Sequence, residues 1–276
     1  MCPAFVTGMN AISKPIDPRY YQIAVLGLLL SFGIAVLDLG IHWYNAAAII
    51  ITAQCVQFAC TRLAGVRQFD PLSAVITSLS LTLLLRTDML VLAILAAAIA
   101  IGSKFLLRIR GKHIFNPSNI ALVTLMFATD SAWVSSGQWG SATIGALALA
   151  CLGCLVLTRA RRAATTFAFL GIYGALLVGR ALWLGDPLSI PLHQLQNGTL
   201  LIFSFFMISD PRTTPDSAPG RLLFGALVAA VAYAIQFVWF EPNGPIIALL
   251  LSAPFVPLID VALRGRAYSW QQPQGV

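Results

Sequence analysis

A polar segment, Ser209-Asp210-Pro211-Arg212-Thr213-Thr214-Pro215, separates two apolar runs. A carboxylate and a guanidinium close to hydrocarbon are costly, so such residues commonly mark a functional site. Because Pro211 cannot continue a helix, the segment is typical of a broken helix end whose freed backbone groups need partners. Asp210 and Arg212 can satisfy those groups or each other, or they can contact a ligand together with Thr213 and Thr214. The sequence leaves both alternatives open.

Two further breaks have the residue types of helix starts that open onto a polar cavity. Asn116-Pro117-Ser118-Asn119 begins one apolar run, and Asn243-Gly244-Pro245 begins another. Because the N-terminal end of a helix carries partial positive charge, we expect both breaks to point toward a bound anion near the bilayer midplane. Asn116, Pro117, Asn119 and Asn243 are therefore candidate binding residues.

Three aromatic residues, Phe203, Phe205 and Phe206, precede the polar segment and could flank a ligand ring. Three positions within four residues cover more than one face of an α-helix. We therefore expect at least one of these rings to face lipid.

The elements that position these residues must lie in a membrane. The 276 residues are 58% hydrophobic, which exceeds what a single soluble core needs. The net charge of +7 comes from short basic clusters between apolar runs, which favours membrane topology over nucleic-acid binding. Glu241 is the only glutamate and the three histidines are far apart in sequence, so we predict no catalytic residues and exclude a soluble hydrolase.

Apolar length and turn residues predict an all-α integral membrane protein with ten spans in one polytopic domain, 1–276. The spans are 22–39, 45–61, 71–86, 88–103, 115–133, 140–157, 164–184, 197–209, 221–239 and 245–262. All but Arg86 and Arg180 of the seventeen basic residues then fall on one face. By the positive-inside rule this face is cytoplasmic. Both tails, 1–20 and 264–276, are predicted to lie there, on a bacterial-type cytoplasmic (inner) membrane.

Ten spans allow two five-span halves of inverted topology, about 20–133 and 140–262. The breaks at Asn116 and Asn243 fall at equivalent positions of the two halves. So do LTLLLRTD (81–88) and FMISDPRTTP (206–215). Short and broken helices at these places are typical of transport folds.

Several motifs resemble a known family. GKHIFNPSNIAL (111–122) is similar to its Lys-x-x-Phe-Asn-Pro-Ala element, FMISDPRTTP (206–215) to its Phe-Met-x-Thr-Asp-Pro-x-Thr-x-Pro element, and FVPLID (255–260) follows in the same order. The family contains NqrB and RnfD, membrane subunits of the sodium-pumping NADH:quinone oxidoreductase and the Rnf ferredoxin:NAD oxidoreductase complexes. The resemblance implies two inverted five-span repeats, akin to urea and ammonium transporters, and flavin held within an electron-transfer complex.

In flavinylated members FMN is joined to a threonine in a pattern like Asp-x-x-Ser-Gly-Ala-Thr. Gly140-Ser141-Ala142-Thr143 keeps Ala-Thr, but Gly137 stands where the acidic residue belongs. The resemblance therefore implies FMN or riboflavin as cofactor, with Thr143 the candidate attachment residue, and the missing carboxylate argues against covalent attachment. Thr143 could instead bond to backbone at the start of the sixth span.

Four cysteines, Cys55, Cys60, Cys151 and Cys154, lie in the second and sixth predicted spans. Four thiolates at one depth could hold an iron–sulfur cluster. Cysteine is also a small apolar residue common in packed helices, and we favour packing over a metal site here.

Two functions remain. The first is an RnfD/NqrB-like membrane subunit of an electron-transport complex that binds flavin and works with redox partner proteins. The alternative is a small-solute or ion transporter or channel that uses the same fold without redox chemistry.

Overall fold

The computed structural model describes residues 17–66, 68–134, 152–154, 163–266 and 268. In those ranges the chain is mostly helical, and nine of the ten predicted segments are helices. The sixth, 140–157, lies outside the described residues except for 152–154, which are helical. The helices are α1 Pro18–Ala35, α2 Trp43–Leu63, α3 Pro71–Leu84, α4 Leu90–Leu106, α5 Pro117–Ala128, α6 Ala163–Leu184, α7 Ser189–Leu195, α8 Gly198–Ile202, α9 Ala218–Phe237, α10 Gly244–Ser252 and α11 Val256–Ala262.

Four of the described segments are long and apolar enough to cross a membrane, namely α2, α6, α9 and the continuous stretch Gly244–Ala262 that contains α10 and α11. The chain is a membrane protein with a mostly helical fold. Helices α3, α4 and α5 are apolar but shorter, and so is Gly198–Met207. The ten spans and their inverted repeat stay predictions.

Two short helices begin at a proline that follows an N-cap residue, as the residue types indicate. Asp70 accepts a 3.3 Å hydrogen bond from the Ser73 N–H before α3, and Asn116 accepts a 3.1 Å bond from the Asn119 N–H at the start of α5. Each cap satisfies a free N–H group of the first turn, which allows a helix to begin away from water. Both half-helices therefore start at defined points.

Two short antiparallel strand pairs modify the all-helical prediction. β1 (Leu85–Arg86) continues α3 and pairs with β4 (Trp133–Val134), so the far ends of α3 and α5 are joined. β2 (Arg108–Ile109) pairs with β3 (Lys112–His113) through a two-residue turn. The turn residues Arg110 and Gly111 have φ values of 52° and 79°, as a tight hairpin requires. This hairpin places Arg108 opposite His113.

Helix packing is similar in the two parts of the chain. α2 packs on α4 and α4 on α5, while α6 packs on α9 and α9 on α10. The α6–α9 crossing is close at Gly225, where a Cβ atom would lie 2.8 Å from the Thr165 carbonyl oxygen. Small residues that allow such close approach are typical of membrane helix pairs. α5 and α10 also contact each other across the two parts.

The prediction that one of the three phenylalanines faces lipid is wrong. After α8 the chain continues as a π-helical turn, Phe203–Met207, and Phe203, Phe205 and Phe206 are all at most 3% exposed. Phe203 packs edge-to-face on Phe169 of α6, with ring centroids 5.2 Å apart. Protein surrounds this segment on every side, so helical periodicity could not distinguish an inner from an outer face.

Candidate functional site

A cavity of about 670 Å³ lies among α1 to α5 and the segment after the π-helical turn. We call it the basic cavity. Its wall includes the starts of α3 and α5, the C-terminal parts of α2 and α4, and the Asp210-Pro211-Arg212 segment. Its volume is in the range of small-molecule and cofactor sites, about 300–1,000 Å³.

Lys104 of α4 is the buried cation of this cavity, with 4% of its surface exposed. Its Nζ donates 3.0 Å hydrogen bonds to both the carbonyl oxygen and the hydroxyl of Ser73 in the first turn of α3. Among the described residues no carboxylate lies within ion-pair distance of this ammonium. Burial penalises the charged form of this amine and the carboxylates of Asp210 and Asp70 favour it, so further negative charge in the cavity would favour the ammonium form.

Asp210 is held by hydrogen bonds rather than by an ion pair. Its Oδ1 accepts a 3.0 Å bond from the Arg212 N–H, and its Oδ2 accepts a 3.4 Å bond from the Asn116 Nδ2 group. The same amide of Asn116 donates to the Met207 carbonyl oxygen at 3.3 Å. Burial raises the pKa of Asp210, and the Arg212 N–H and the charges of Lys104 and Arg212 oppose that rise.

Of the remaining residues of this segment, Thr213 and Thr214 are structural, whereas Arg212 is exposed to the cavity. Thr213 and Thr214 are buried, and their hydroxyls donate to the Asp210 carbonyl oxygen at 3.4 and 3.0 Å. They therefore cap the broken helix. The Arg212 side chain is exposed and lines the basic cavity.

Asn119 connects α5 to α10. Its Nδ2 group donates a 2.8 Å hydrogen bond to the Ile246 carbonyl oxygen, and the residue is only 1% exposed. Its Oδ1 has no hydrogen-bond partner among the described residues. Asn119 does not line the basic cavity, so the structure assigns it a contact between helices next to the cavity wall.

The β2–β3 hairpin adds His113 and Arg108 to the cavity. Burial, followed by the charges of Arg108, Lys104 and Arg212, lowers the pKa of His113 to about 3, so this imidazole is neutral at physiological pH. Its Nδ1 has no hydrogen-bond partner in the described part of the chain. Arg108 donates through Nε to the Lys104 carbonyl oxygen and stacks on Phe105, with Cζ 4.9 Å from the ring centroid.

Asn243 does not share this cavity. It lines a second, smaller cavity of about 200 Å³ together with Tyr173, Asn197 and Gln236, which we call the neutral cavity. The Tyr173 hydroxyl donates to the Gln236 side-chain oxygen. The two helix starts therefore line different cavities, and a single site between them stays a prediction. Phe206 of the π-helical turn lines the basic cavity and Phe203 lines the neutral cavity, and long-range packing of this kind leaves no local pattern in the sequence.

Other candidates lie partly beyond the described residues. Thr143 and Cys151 are outside them. Cys55 is exposed, whereas Cys60 and Cys154 are partly buried. In the described ranges no group of three or more His, Cys, Asp or Glu side chains is placed to hold a metal ion.

Sequence reasoning missed Lys104, Arg108 and Gln57 as cavity residues. Lys104 and Arg108 belong to one of the basic clusters of the sequence, and the positive-inside rule explains such clusters without a binding site. Their spacing of four residues could have indicated a shared face at the end of α4. Gln57 is one of several polar residues of α2 and is 6% exposed. Its Oε1 has no hydrogen-bond partner among the described residues.

Comparison with known proteins identifies a family. Residues 131–269 match the NQR2, RnfD, RnfE family. The chain belongs to this family. The matched range contains Asp210 and Arg212, whereas Lys104 and Asn116 precede it. The resemblance predicted from the sequence motifs is thus confirmed, and the transporter alternative is not favoured.

Relatives include RnfD proteins, which are named as subunits of an ion-translocating oxidoreductase complex. The protein from Shewanella amazonensis is 38% identical over 101 residues, 36% of this chain and 29% of that protein. The protein from Sodalis glossinidius is 36% identical over 139 residues, 49% of this chain and 39% of that protein. The chain thus aligns with well under half the length of these relatives.

Proposed function

We propose that the chain is an RnfD-like membrane subunit of an ion-translocating electron-transport complex and that it binds flavin in the basic cavity. Family membership and the names of the relatives support the first part. The single observation that carries the second part is a large cavity that combines the buried amine of Lys104 with buried hydrogen-bonding atoms that lack partners among the described residues.

The donors and acceptors of the cavity suit a flavin ring. The Gln57 Oε1 and the His113 Nδ1 lack partners among the described residues and can bond to a ring that offers both N–H and C=O groups. Asn116 holds the Asp210 side chain in the same wall. A bound FMN or riboflavin would supply electron transfer, the chemistry that protein side chains lack.

The chain's own residues would then set the electrostatics of that transfer. Lys104 lies at low solvent exposure, where its charge stabilises negative charge that develops on a reduced ring. The neutral His113 adds no charge of its own. Asp210 can hold a proton more readily than an exposed carboxyl group, because burial raises its pKa.

The proposed architecture is two inverted five-span halves in a bacterial cytoplasmic membrane, with both termini in the cytoplasm. The matching helix pairs, α2–α4 with α6–α9 and α4–α5 with α9–α10, support it. So do the two cavities. Lys104 and Asn116 line one, Gln236 and Asn243 line the other, and each pair comes from the end of one helix and the start of a shorter one. Redox partner proteins would pass electrons to and from the site.

The test is purification of the tagged chain from native membranes, followed by identification of copurified proteins and bound chromophores. We expect redox subunits and flavin to copurify with the chain. Acid precipitation then separates the modes of binding, since non-covalent flavin is released while flavin attached at Thr143 stays with the polypeptide and disappears in Thr143→Ala. A chain that purifies alone and colourless, and takes up no added flavin, would contradict the proposal.

A further inference from the structure

One face of α2 is exposed along much of its length. Ile51, Cys55, Phe58 and Arg62 are exposed, and their spacing of four, three and four residues aligns them along one side of the helix. The buried residues of α2 lie on the opposite side, where α3 and α4 pack. Because α2 is long and apolar enough to cross a membrane, this exposed face of α2 is in contact with lipid.

The exposed face has the length of one lipid leaflet. From Ile51 to Arg62 the helix rises about 16 Å, at about 1.5 Å per residue. The hydrocarbon core of a bilayer is about 30 Å thick, so one leaflet contributes about 15 Å. Arg62 lies in the last turn of α2, where the chain leaves the membrane. Ile51 then lies near the midplane, and one acyl chain reaches from one residue to the other.

The Arg62 side chain is held in place by two aromatic rings. Its Cζ lies 5.0 Å from the centroid of the Phe58 ring. Phe69, in the loop after α2, packs edge-to-face on Phe58 with the ring centroids 5.9 Å apart. A guanidinium that stacks on a ring keeps its N–H groups in the plane of the stack, where they can donate to the oxygens of a phosphate. Arg62 is therefore positioned before a lipid binds.

The charge at this end of α2 favours an anionic headgroup. Among the described residues no carboxylate lies within ion-pair distance of Arg62. The acidic residue nearest to it along the chain, Asp70, is paired with Arg19 at 2.8 Å. A zwitterionic lipid brings an ammonium group that competes with Arg62 for the phosphate and has no free carboxylate here. An anionic lipid offers its phosphate to the guanidinium alone.

We propose that this face binds an anionic phospholipid, with the lipid phosphate on the Arg62 guanidinium and one acyl chain along Phe58, Cys55 and Ile51. Leu63, which is 88% exposed, extends the apolar surface beside Arg62 for the second chain. None of these five residues lines the basic cavity. The lipid site is therefore independent of flavin binding.

The test is native mass spectrometry of the detergent-purified, delipidated protein, titrated with phosphatidylglycerol and with phosphatidylethanolamine of the same chain length. We expect phosphatidylglycerol to bind about fivefold more tightly, since one arginine near a membrane surface contributes about that factor toward an anionic lipid. Arg62→Gln should lower its affinity to that of phosphatidylethanolamine. Phe58→Leu keeps the apolar surface but removes the ring beneath the guanidinium, and should lower the affinity in part. Arg264→Gln, which replaces an exposed arginine elsewhere in the chain, should leave it unchanged.

Three results would overturn the proposal. The first is equal affinity of the wild-type protein for the two lipids, and the second is an unchanged affinity for phosphatidylglycerol in Arg62→Gln. The third is displacement of phosphatidylglycerol by an equal concentration of glycerol phosphate, which would show an anion site that needs no acyl chain. The lipid-free variants should keep the wild-type unfolding midpoint, because the replaced side chains are exposed, so a lost affinity reflects a lost contact.

Discussion

Lys112 joins the two parts of the chain and offers the sharpest test of the packing. Its Nζ lies 3.0 Å from an Asp216 oxygen and 2.8 Å from an Asp260 oxygen. The Asp216 N–H also donates a 2.8 Å bond to Asp260. Lys112 precedes α5, whereas the two aspartates lie before α9 and within α11. We expect Lys112→Met to weaken this junction strongly.

The expected magnitude follows from the exposure of the three side chains. An ion pair at 4 Å contributes about 4 kcal/mol before desolvation at an effective dielectric constant of about 20. Removal of one partner of a buried pair costs about 3–5 kcal/mol, because the remaining charge is uncompensated. The side chains here keep 16% to 20% exposure, so we expect the lower end of that range, about 3 kcal/mol.

The measurement is the apparent free energy of unfolding in mixed micelles titrated with SDS. Arg180→Met is the matched control, since Arg180 and Asp186 are 3.5 Å apart and each is 36% exposed; its loss should stay below about 1 kcal/mol. Adding Asp216→Asn and Asp260→Asn to Lys112→Met should recover part of the stability by removing the repulsion between carboxylates. Equal losses for Lys112→Met and Arg180→Met would refute the reasoning.

Three further predictions concern packing, a buried amide and pH. Gly225→Ala should destabilise the protein by about 1–3 kcal/mol through overpacking, whereas Gly171→Ala, with open space around it, should be neutral or stabilising; similar unfolding midpoints would contradict this. Asn119→Leu should cost about 0.5–1.5 kcal/mol by removing the hydrogen bond that its amide donates to the Ile246 carbonyl oxygen, and an unchanged free energy of unfolding in SDS would argue against that hydrogen bond. Because the pKa of His113 is about 3 in the folded protein and about 6.5 when unfolded, stability should fall as pH falls from about 6.5 toward about 3. His113→Asn should reduce that dependence of the thermal unfolding midpoint, and an identical pH dependence would count against a buried neutral imidazole.

Helix positions could be predicted because breaks and apolar runs are local features. Pro71, Pro117 and Gly244 begin short helices where the sequence indicates them, with Asp70 and Asn116 as caps. Each cap needs only neighbouring residues. The family resemblance rests on the same local motifs.

The site could be predicted only in part, because cavities depend on long-range packing. Asn116 and Asp210, both candidate binding residues, share a hydrogen bond, but Asn243 lines another cavity. In the sequence Lys104 is a basic residue at the cytoplasmic end of a predicted span, as the positive-inside rule expects. Only its contact with Ser73 in the structure places it in the cavity wall. No periodicity in α4 distinguishes a buried lysine from one that reaches the membrane surface.

The most direct test of the central claim is the oxidised-minus-reduced absorption spectrum of the purified wild-type protein and of Gln57→Leu. We predict a flavin band that bleaches on chemical reduction and returns on reoxidation in the wild type, and its loss in Gln57→Leu. Gln54→Leu on the same helix, outside the cavity lining, should keep the band. A wild-type protein that shows no such band even after incubation with flavin, or a Gln57→Leu protein that binds flavin as well as the wild type, would contradict a flavin site in the basic cavity.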